Sequence, residues 1–342
     1  MNAVNERRWR QFKSNKRGYY STCAFLLLFG ISLFAEFIAN NQPIVMEHQG
    51  QLWFPVLADY TEQELGGELP IPAQYADPYL QDLVRESDGW MLWPPIRYTY
   101  NQPDRFLDVA APAPPSATHW LGTDDRGRDT LARLIYGFRL SVMFGLALTL
   151  FSSVIGLTVG ALQGYFGGIV DLFGQRLVEI WAGLPVLLIL IILASVVAPN
   201  VYWLLALLTL FTWIPLVGLV RAEVLRTRNF EYVRAARALG KTNIGILFHH
   251  VIPNALVATL TFLPFLLSGG ITLLTALDFL GFGLPHGSPS LGELLAQGRA
   301  NLHAPWLGLT GFFTLGIMLT LLIFVGEAVR DALDPRRLLE SA

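Results

Sequence analysis

The sequence predicts an all-α polytopic membrane protein, and its composition, its charge-free runs and the charges of its loops support that fold class. Of 342 residues, 53% are hydrophobic and only 15% are charged, whereas about a quarter of a soluble domain is charged. The mean hydropathy of +0.45 agrees. A soluble globular domain, a disordered chain and a nucleic-acid-binding protein are disfavoured, since a net charge of −2 gives no general attraction for phosphate.

Six transmembrane helices are expected from the stretches that lack Asp, Glu, Lys and Arg. A spanning helix needs about 17–25 mostly apolar residues, and the run 180–220 is too long for one helix, so Pro199 and Asn200 divide it. The six helices are expected near residues 19–38, 140–164, 179–198, 201–221, 255–280 and 305–326. The first is expected to be a retained anchor, because no convincing signal-peptide cleavage motif follows it.

The distribution of lysine and arginine predicts the orientation, because cytoplasmic loops carry an excess of these residues. Residues 1–18 hold six basic residues and residues 221–254 hold another six, whereas the outer segment 40–118 has three arginines against eleven acids. Both termini are therefore expected in the cytoplasm. One group of arginines before the second helix is an exception, and aspartates accompany it: Arg126, Arg128, Arg133 and Arg139, with Asp124, Asp125 and Asp129.

These patterns divide the chain into four parts. Residues 1–39 form a cytoplasmic N-terminus and the first transmembrane helix, and residues 40–137 form an outer insert and a pre-helix segment. Residues 138–327 form the membrane core with an inner loop at 222–254, and residues 328–342 form a cytoplasmic tail. The outer segment holds eleven of the twenty prolines and shows no helical or strand period, so an irregular insert is expected, serving as a lid, a docking surface or a substrate guide.

The second helix carries a ridge of small residues spaced four apart: Ser152, Gly156, Gly160 and Gly164. Small residues on one ridge let helices approach closely in lipid. The ridge therefore predicts either a tightly packed bundle core or a contact with another subunit.

The inner loop 221–254 is the most informative stretch of the sequence. Four residues recur at helical spacing and predict a short amphipathic helix over 231–239: Tyr232, Ala235, Ala236 and Leu239. We expect this helix to dock a partner. Two alternatives remain at this point: a solvated basic loop that only sets topology, and a helix lying on the membrane surface.

The residues after this short helix have positional meaning. Gly240 suits the position just past a helix C-terminus, Asn243 is expected to cap a second helical segment, and Pro253 suits the start of the fifth membrane helix. The stretch 235–242 fits a relaxed phosphate-loop pattern ending in Gly-Lys-Thr, but no strand precedes it and its residues favour helix. ATP binding is therefore not expected there.

Catalytic, metal and cofactor sites are not expected. Cys23 is the only cysteine, which excludes a disulfide framework and a Cys-based metal cluster. The neighbours His249 and His250 would point about 100° apart on a helix, which makes them a poor metal pair. Four acids near membrane depth lie close to helix ends, which argues against a proton relay and for an energy source in another chain: Glu36, Glu179, Asp278 and Glu327.

Loop 221–254 resembles the cytoplasmic signature of permease subunits of binding-protein-dependent ABC importers. That signature is Glu-Ala-Ala, three residues, Gly, about nine residues, and then an apolar residue, any residue, an apolar residue and Pro. The matching residues are Ala235, Ala236, Gly240, Ile252 and Pro253, while Arg234 replaces the Glu and His250 replaces the first apolar residue. These departures are similar to the variant found in the peptide-importer branch of the family.

Further motifs resemble the same branch over about residues 120–337, besides the N-terminal anchor. They are GTDDRGRD at 122–129, GYFGGIVD at 164–171, LDFLGFGLP at 277–285, PSLGELLAQGR at 289–299, APWLGL at 304–309 and EAVRDALDPR at 327–336. With its long insert, the sequence as a whole is similar to the Yej-type importers of oligopeptides, which in enterobacteria also admit the peptide–nucleotide antibiotic microcin C.

The resemblance implies a multi-pass transport subunit of the bacterial inner membrane, with a periplasmic insert and without catalysis of its own. It would form half of an oligopeptide pathway beside a homologous second permease, cytoplasmic ATPase domains and a periplasmic peptide-binding protein, with no cofactor and no nucleic acid. The short helix would be a coupling helix lodged in the ATPase, and the implied coupling residues are Glu231, Tyr232, Arg234, Ala235, Ala236, Gly240 and Pro253. The competing functions are a self-sufficient channel or secondary transporter and a membrane-anchored sensor.

Overall fold

The computed structural model describes residues 3–104 and 107–333, and helices dominate them. The helices are α1 Ala3–Ser14, α2 Lys16–Leu33, α3 Ala35–Ile38, α4 Pro78–Glu86, α5 Thr130–Phe166, α6 Gly168–Ala182, α7 Val186–Val196, α8 Val201–Thr212, α9 Ile214–Thr227, α10 Glu231–Ala238, α11 Asn243–Ile246, α12 Ile252–Phe279, α13 Leu291–Ala300 and α14 Pro305–Leu333. The long helices follow the apolar runs, because a helix satisfies its backbone polar groups internally where lipid cannot. Most of the predicted C-terminal tail lies outside the described residues.

Within residues 3–104 and 107–333, three stretches are long and apolar enough to cross a membrane, namely Thr130–Phe166, Asn243–Phe279 and Pro305–Leu333. The helices predicted at 179–198 and 201–221 are each bent pairs: α6 and α7 meet at 75°, and α8 and α9 meet at 44°. Counting each bent pair as one span gives five. The bends follow prolines that lack a backbone N–H, Pro185 before α7 and Pro215 in the first turn of α9.

The first predicted helix, 19–38, does not join these five stretches. It is interrupted near Phe34, between α2 and α3. Lys16 and Arg17 occupy the start of α2 and dilute its apolar run. A count of six spans therefore remains a prediction.

The outer insert is not irregular throughout, which corrects the sequence prediction. Strands β1 Val45–His48, β2 Gln51–Trp53 and β3 Trp90–Leu92 form an antiparallel sheet in the order β2-β1-β3. A core lies beneath the sheet and α4, formed by Met46, Leu65, Tyr75, Leu80 and Val84. The strands are only three or four residues long, too short to show the alternation by which strands are predicted.

The chain divides into two compact units, and the first contains the described parts of residues 1–27, 141–286 and 315–342. In this unit the ridge of α5 packs against α9. Each ridge glycine would place an added Cβ within 2.9 Å of one α9 side chain: Gly156 of Leu216, Gly160 of Val220 and Gly164 of Val224. Ser152 Oγ lies 2.5 Å from Thr212 Oγ1 of α8. The ridge is therefore a packing seam within this chain, the first of its two predicted roles.

The fifth predicted membrane helix extends further into the inner loop than expected. α11 continues into α12 through a π-helical turn at Leu247–Val251, so Asn243–Phe279 is one continuous helix of 37 residues. Such turns use i→i+5 hydrogen bonds and are uncommon outside functional regions. The turn joins the loop directly to a membrane helix.

The second unit contains residues 28–140 and 287–314, as far as they are described. Its helix α13 was not expected from the sequence, because it is short and only partly apolar. Ser290 begins α13 by accepting hydrogen bonds from the backbone N–H groups of Gly292 and Glu293 at 3.1 and 3.2 Å. Gly298 of α13 lies so close to Gly308 that no Cβ would fit between them.

Candidate coupling site

The loop between α9 and α12 begins with α10, as the sequence predicts. Phe230 before the helix has extended backbone, and Gly240 beyond its end has a φ of +78°. An added Cβ at Gly240 would meet nothing within 4 Å. The backbone conformation, not a lack of space, therefore favours glycine there, since other residues rarely adopt positive φ.

The second helical segment, α11, is capped by Thr242 and not by Asn243, so that prediction is wrong by one residue. Thr242 Oγ1 accepts a hydrogen bond from the N–H of Gly245 at 3.2 Å. Asn243 lies inside the helix, and its side-chain oxygen accepts a hydrogen bond from the Tyr165 hydroxyl at 3.0 Å. Pro253 lies in the first turn of α12, which is the predicted place.

The inward face of α10 is anchored to the membrane bundle. Its residues Val233 and Ala236 are buried, at 0% and 5% exposure. They belong to a core cluster with residues of α5, α9, α11 and α12: Ala161, Tyr165, Leu216, Val220, Val224, Ile246, Leu247, Val251 and Ala255. A displacement of α10 would therefore act directly on side chains of three long helices, α5, α9 and α12.

The outward face of α10 carries apolar groups in the open. Tyr232 is 43% exposed and Leu239 is 82% exposed, and Ala235 is exposed as well. The predicted apolar face is thus split, since only Ala236 of its four residues turns inward. Val233, which the helical pattern left out, takes the buried position. The outward face of α10 therefore leaves apolar surface uncovered.

Charged and polar groups surround that outward face. Glu231, Arg234 and Arg237 are all exposed. Asn254 donates a hydrogen bond to the Tyr232 hydroxyl at 2.8 Å, and Lys241 Nζ lies 3.2 Å from His250 Nε2. The combination of small, aromatic and basic side chains suits docking against a protein surface.

The Gly-Lys-Thr sequence at 240–242 has no phosphate-loop surroundings. It follows helix α10 instead of a buried strand, and the Thr242 hydroxyl is engaged in capping α11. Among the described residues, no three His, Cys, Asp or Glu side chains converge as metal ligands would.

Sequence reasoning missed two residues beneath the loop, Tyr165 and Arg228. Tyr165 is 5% exposed at the end of α5, and Arg228 follows the end of α9. Arg228 was counted only among the basic residues that set topology, and Tyr165 only within the GYFGGIVD motif. A tyrosine separated by one residue from a pair of glycines, at the end of a long apolar run, was the available signal.

A second group of polar residues lies in the second unit and is held together by ion pairs. Arg128 Nε donates to Asp124 at 2.6 Å, and Arg128 and Arg133 both donate to Glu293, at 3.0 and 2.7 Å. Burial alone would raise the pKa of Glu293, but the guanidinium groups of Arg133 and Arg128 outweigh it, and this pKa lies below its ordinary value. The motifs at 122–129 and 289–299 thus meet in one ion-pair cluster.

Internal pairing accounts for three of the four arginines that depart from the orientation rule, namely Arg128, Arg133 and Arg139. Arg139 makes a two-pronged contact with Glu36, at 2.9 and 2.8 Å. Arg133 is 0% exposed. These cations neutralise acids of their own unit, and sequence position alone does not reveal that.

His119 lies beside this cluster, between two carboxylates. Its Nδ1 is 2.8 Å from Asp129 and its Nε2 is 3.2 Å from Asp104. Tyr98 donates to the same Asp104 oxygen at 3.1 Å, and the two rings lie 4.3 Å apart. Burial lowers the pKa of His119, but the hydrogen bonds to Asp129 and Asp104 raise it by more than burial lowers it. The pKa of His119 therefore lies above its ordinary value.

Comparisons with known proteins identify the family. Residues 131–338 match the family described as "Binding-protein-dependent transport system inner membrane component". The chain is 56% identical over 337 residues to the "Inner membrane ABC transporter permease protein YejE" of Escherichia coli strain K12, covering 98% of each chain. It is 55% identical over 358 residues to the "Peptidoglycan transport system permease protein YejE" of Agrobacterium fabrum, covering 98% of this chain and 93% of that protein.

More distant similarities agree with this assignment. The "Oligopeptide transport system permease protein OppC" of Bacillus subtilis is 34% identical over 244 residues, covering 70% of this chain and 78% of that protein. A solved structure of the inward-facing MetNI methionine ABC transporter aligns with a TM-score of 0.50 at 21% identity, covering 58% of this chain and 96% of that one, and it shows the fold alone. The chain therefore belongs to the binding-protein-dependent transport system inner membrane components and is a permease subunit of the ABC type.

Proposed function

We propose that this chain forms half of an inner-membrane pathway for oligopeptides and is driven by a separate ATPase. The arrangement of α10 carries the proposal: one face is built into the core of the bundle, and the other presents Tyr232, Ala235 and Leu239 to a partner. A solvated loop that only sets topology would not need a face embedded among three long helices. A helix lying on the membrane surface would not need its small residues outside.

The coupling residues of this proposal are those of the loop signature: Glu231, Tyr232, Arg234, Ala235, Ala236, Gly240 and Pro253. Tyr232, Ala235 and the charged residues make the contact, Ala236 fixes the helix to the bundle, and Gly240 and Pro253 set the path of the chain. We assign ATP hydrolysis to a separate subunit, because a phosphate loop needs a preceding strand and helix α10 precedes the Gly-Lys-Thr sequence instead.

The remaining partners follow from family membership. They are a homologous second permease, cytoplasmic ATPase domains, a periplasmic peptide-binding protein and the lipid bilayer. We place both termini in the cytoplasm and six spans in the membrane, with α2 and α3 as the first. Residues 40–137 are then the periplasmic insert, and residues 138–327 are the permease core.

Peptides are the proposed substrates, because the Bacillus subtilis relative is named for oligopeptide transport. The Agrobacterium fabrum relative is named for peptidoglycan transport, so peptidoglycan fragments that carry peptide stems are the second candidate. Microcin C uptake stays a prediction from the resemblance.

The test is uptake by the reconstituted complex. The chain is assembled in proteoliposomes with its partner permease and ATPase, the binding protein is added outside, and labelled oligopeptides or peptidoglycan fragments are supplied. We expect ATP-dependent uptake that requires every component. Uptake by this chain alone would indicate a channel or secondary transporter, and binding without any uptake would indicate a sensor.

A further inference from the structure

We infer that the C-terminal end of α5 is where the coupling loop transmits its movement into the membrane bundle, with Tyr165 and Arg228 as positioning residues. The inference rests on the proposed function, because it assigns the route by which the docked loop acts. The C-terminal end of α5, the loop and α9 all lie within the first unit.

Arg228 ties the end of α9 to the end of α5. Its guanidinium donates to the Gly164 carbonyl at 2.9 Å and to the Tyr165 carbonyl at 3.5 Å. The last carbonyls of a helix have no partner within the helix, and the negative end of the helix dipole favours a cation there. Arg228 thus caps α5, and it stands three residues before Glu231, the first residue of α10.

The backbone next to this cap leaves room for it. Gly167 has a φ of +65°, and an added Cβ there would lie 2.8 Å from Arg228 Nη1. A larger residue would push the guanidinium away from the carbonyls. Gly167 therefore serves both the turn into α6 and the access of Arg228 to α5.

Tyr165 contacts both halves of the coupling loop. Its hydroxyl donates to Asn243 of α11 at 3.0 Å, and the guanidinium of Arg237 in α10 lies 6.0 Å from its ring centre. The side chain is 5% exposed and belongs to the same core cluster as Val233 and Ala236. One side chain of α5 therefore joins α10, α11 and the bundle.

These contacts give α5 a particular role. It is 37 residues long, and its glycine ridge packs against α9. A push on α10 reaches the end of this helix through Tyr165 and through the Arg228 cap. A purely structural role would require the same contacts for assembly, so the test must separate assembly from transmission.

The experiment uses the reconstituted complex and measures transport per ATP hydrolysed. Tyr165→Phe removes only the hydroxyl and keeps the ring in the core. We expect normal assembly and basal ATP hydrolysis, with peptide uptake per ATP reduced about fivefold, a change that corresponds to about 1 kcal/mol, the typical net contribution of one hydrogen bond. Tyr202→Phe is the matched control, since Tyr202 is 82% exposed.

A double-mutant cycle identifies the contact responsible. Asn243→Ala should reproduce the effect of Tyr165→Phe, and the double variant should be no worse than either. Arg228→Ala should uncouple transport as well, and Arg228→Lys should restore part of it.

Three results would overturn the inference: wild-type coupling in Tyr165→Phe, additive effects in the cycle, or loss of the assembled complex in Tyr165→Phe. Failure of the proposed function looks different, because the wild-type complex itself would then show no ATP-driven uptake.

Discussion

At the scale of single residues, the backbone angle φ of Gly240 determines the path of the chain after α10. This glycine turns the chain after α10 at a φ of +78°, with open space around it. The φ of Gly240 determines where Lys241 and the residues after it lie relative to Leu239, which is 82% exposed. Steric crowding does not enter, so the effect of a substitution depends on φ alone.

Gly240→Val should abolish the association of this chain with its ATPase and its peptide uptake. A β-branched residue at positive φ costs about 1–3 kcal/mol of local strain. The bundle core lies elsewhere, so normal membrane levels are expected. Co-purification of the ATPase and growth on peptides are the measurements.

Gly240→Asn is the matched control, because asparagine tolerates positive φ far better than valine. It should retain most of the association. Equal loss in both variants, or full activity in Gly240→Val, would contradict the assignment of Gly240 to the coupling turn.

His119 predicts a pH dependence of stability. Its pKa is raised in the folded state by Asp129 and Asp104, against the effect of burial. A raised folded pKa contributes stability that is fully present below the unfolded pKa and is lost as pH rises through the folded pKa. Burial beside Asp104 raises the pKa of Tyr98 to about 12, so Tyr98 stays protonated throughout this range.

The melting temperature of the detergent-solubilised protein should therefore fall from pH 6 to pH 9 by more in the wild type than in His119→Gln. His303→Gln, at an exposed histidine of the same unit, should behave as wild type. Parallel pH profiles for wild type and His119→Gln would refute the role of the two carboxylates.

At the scale of elements, the seam between α5 and α9 depends on glycine. Gly160 faces the Val217 carbonyl and the Val220 side chain, and an added Cβ would lie 2.8 and 2.9 Å from them. Neither backbone nor a β-branched side chain can yield easily. Gly218 on α9 offers the opposite case, since a Cβ there meets nothing within 4 Å.

Gly160→Ala should lower stability by about 1–3 kcal/mol, the usual cost of overpacking. Gly218→Ala should be neutral or slightly stabilising, because alanine favours helix. Thermal unfolding of the two purified variants compares them directly. A neutral Gly160→Ala would mean that the helices separate there without cost.

The elements also show which signals a sequence carries. The ridge and the short helix α10 were predictable, because both depend on local spacing. The capping of α11 by Thr242 was missed by one residue, since neighbouring Thr and Asn are both good caps. The inward position of Val233 depends on how α10 sits on the bundle, which local spacing does not specify.

At the scale of the whole molecule, the proposed topology places the insert outside and α1 inside. Cysteine labelling tests this in a Cys23→Ser background, with single cysteines at Ala117 and Ser14, both exposed. An impermeant thiol reagent on intact spheroplasts should label Ala117→Cys only, and permeabilised spheroplasts should show both. Labelling of Ser14→Cys in intact spheroplasts would contradict an inside N-terminus.

The apolar runs predicted most of the long helices, because lipid-facing segments need continuous apolar sequence. The strands of the insert are too short to show alternation in the sequence, and the cluster around Arg133 depends on pairing between distant residues, so neither was predicted. Arg133 meets Glu293, which lies 160 positions later. Only the motifs at 122–129 and 289–299 indicated that these two stretches are functionally important. A sequence motif does not reveal which residues it contacts in the folded chain.

The π-helical turn at Leu247–Val251 has a consequence for how this loop can change by insertion or deletion. Removing one residue there would convert the turn to ordinary helix and rotate everything before it by about 100° around the axis of α12. Ile246, now buried, would leave the core, and the exposed Ile244 would turn towards a different side. A substitution alters one contact, whereas a change in length at this turn would re-aim the whole of the proposed docking face of α10 at once.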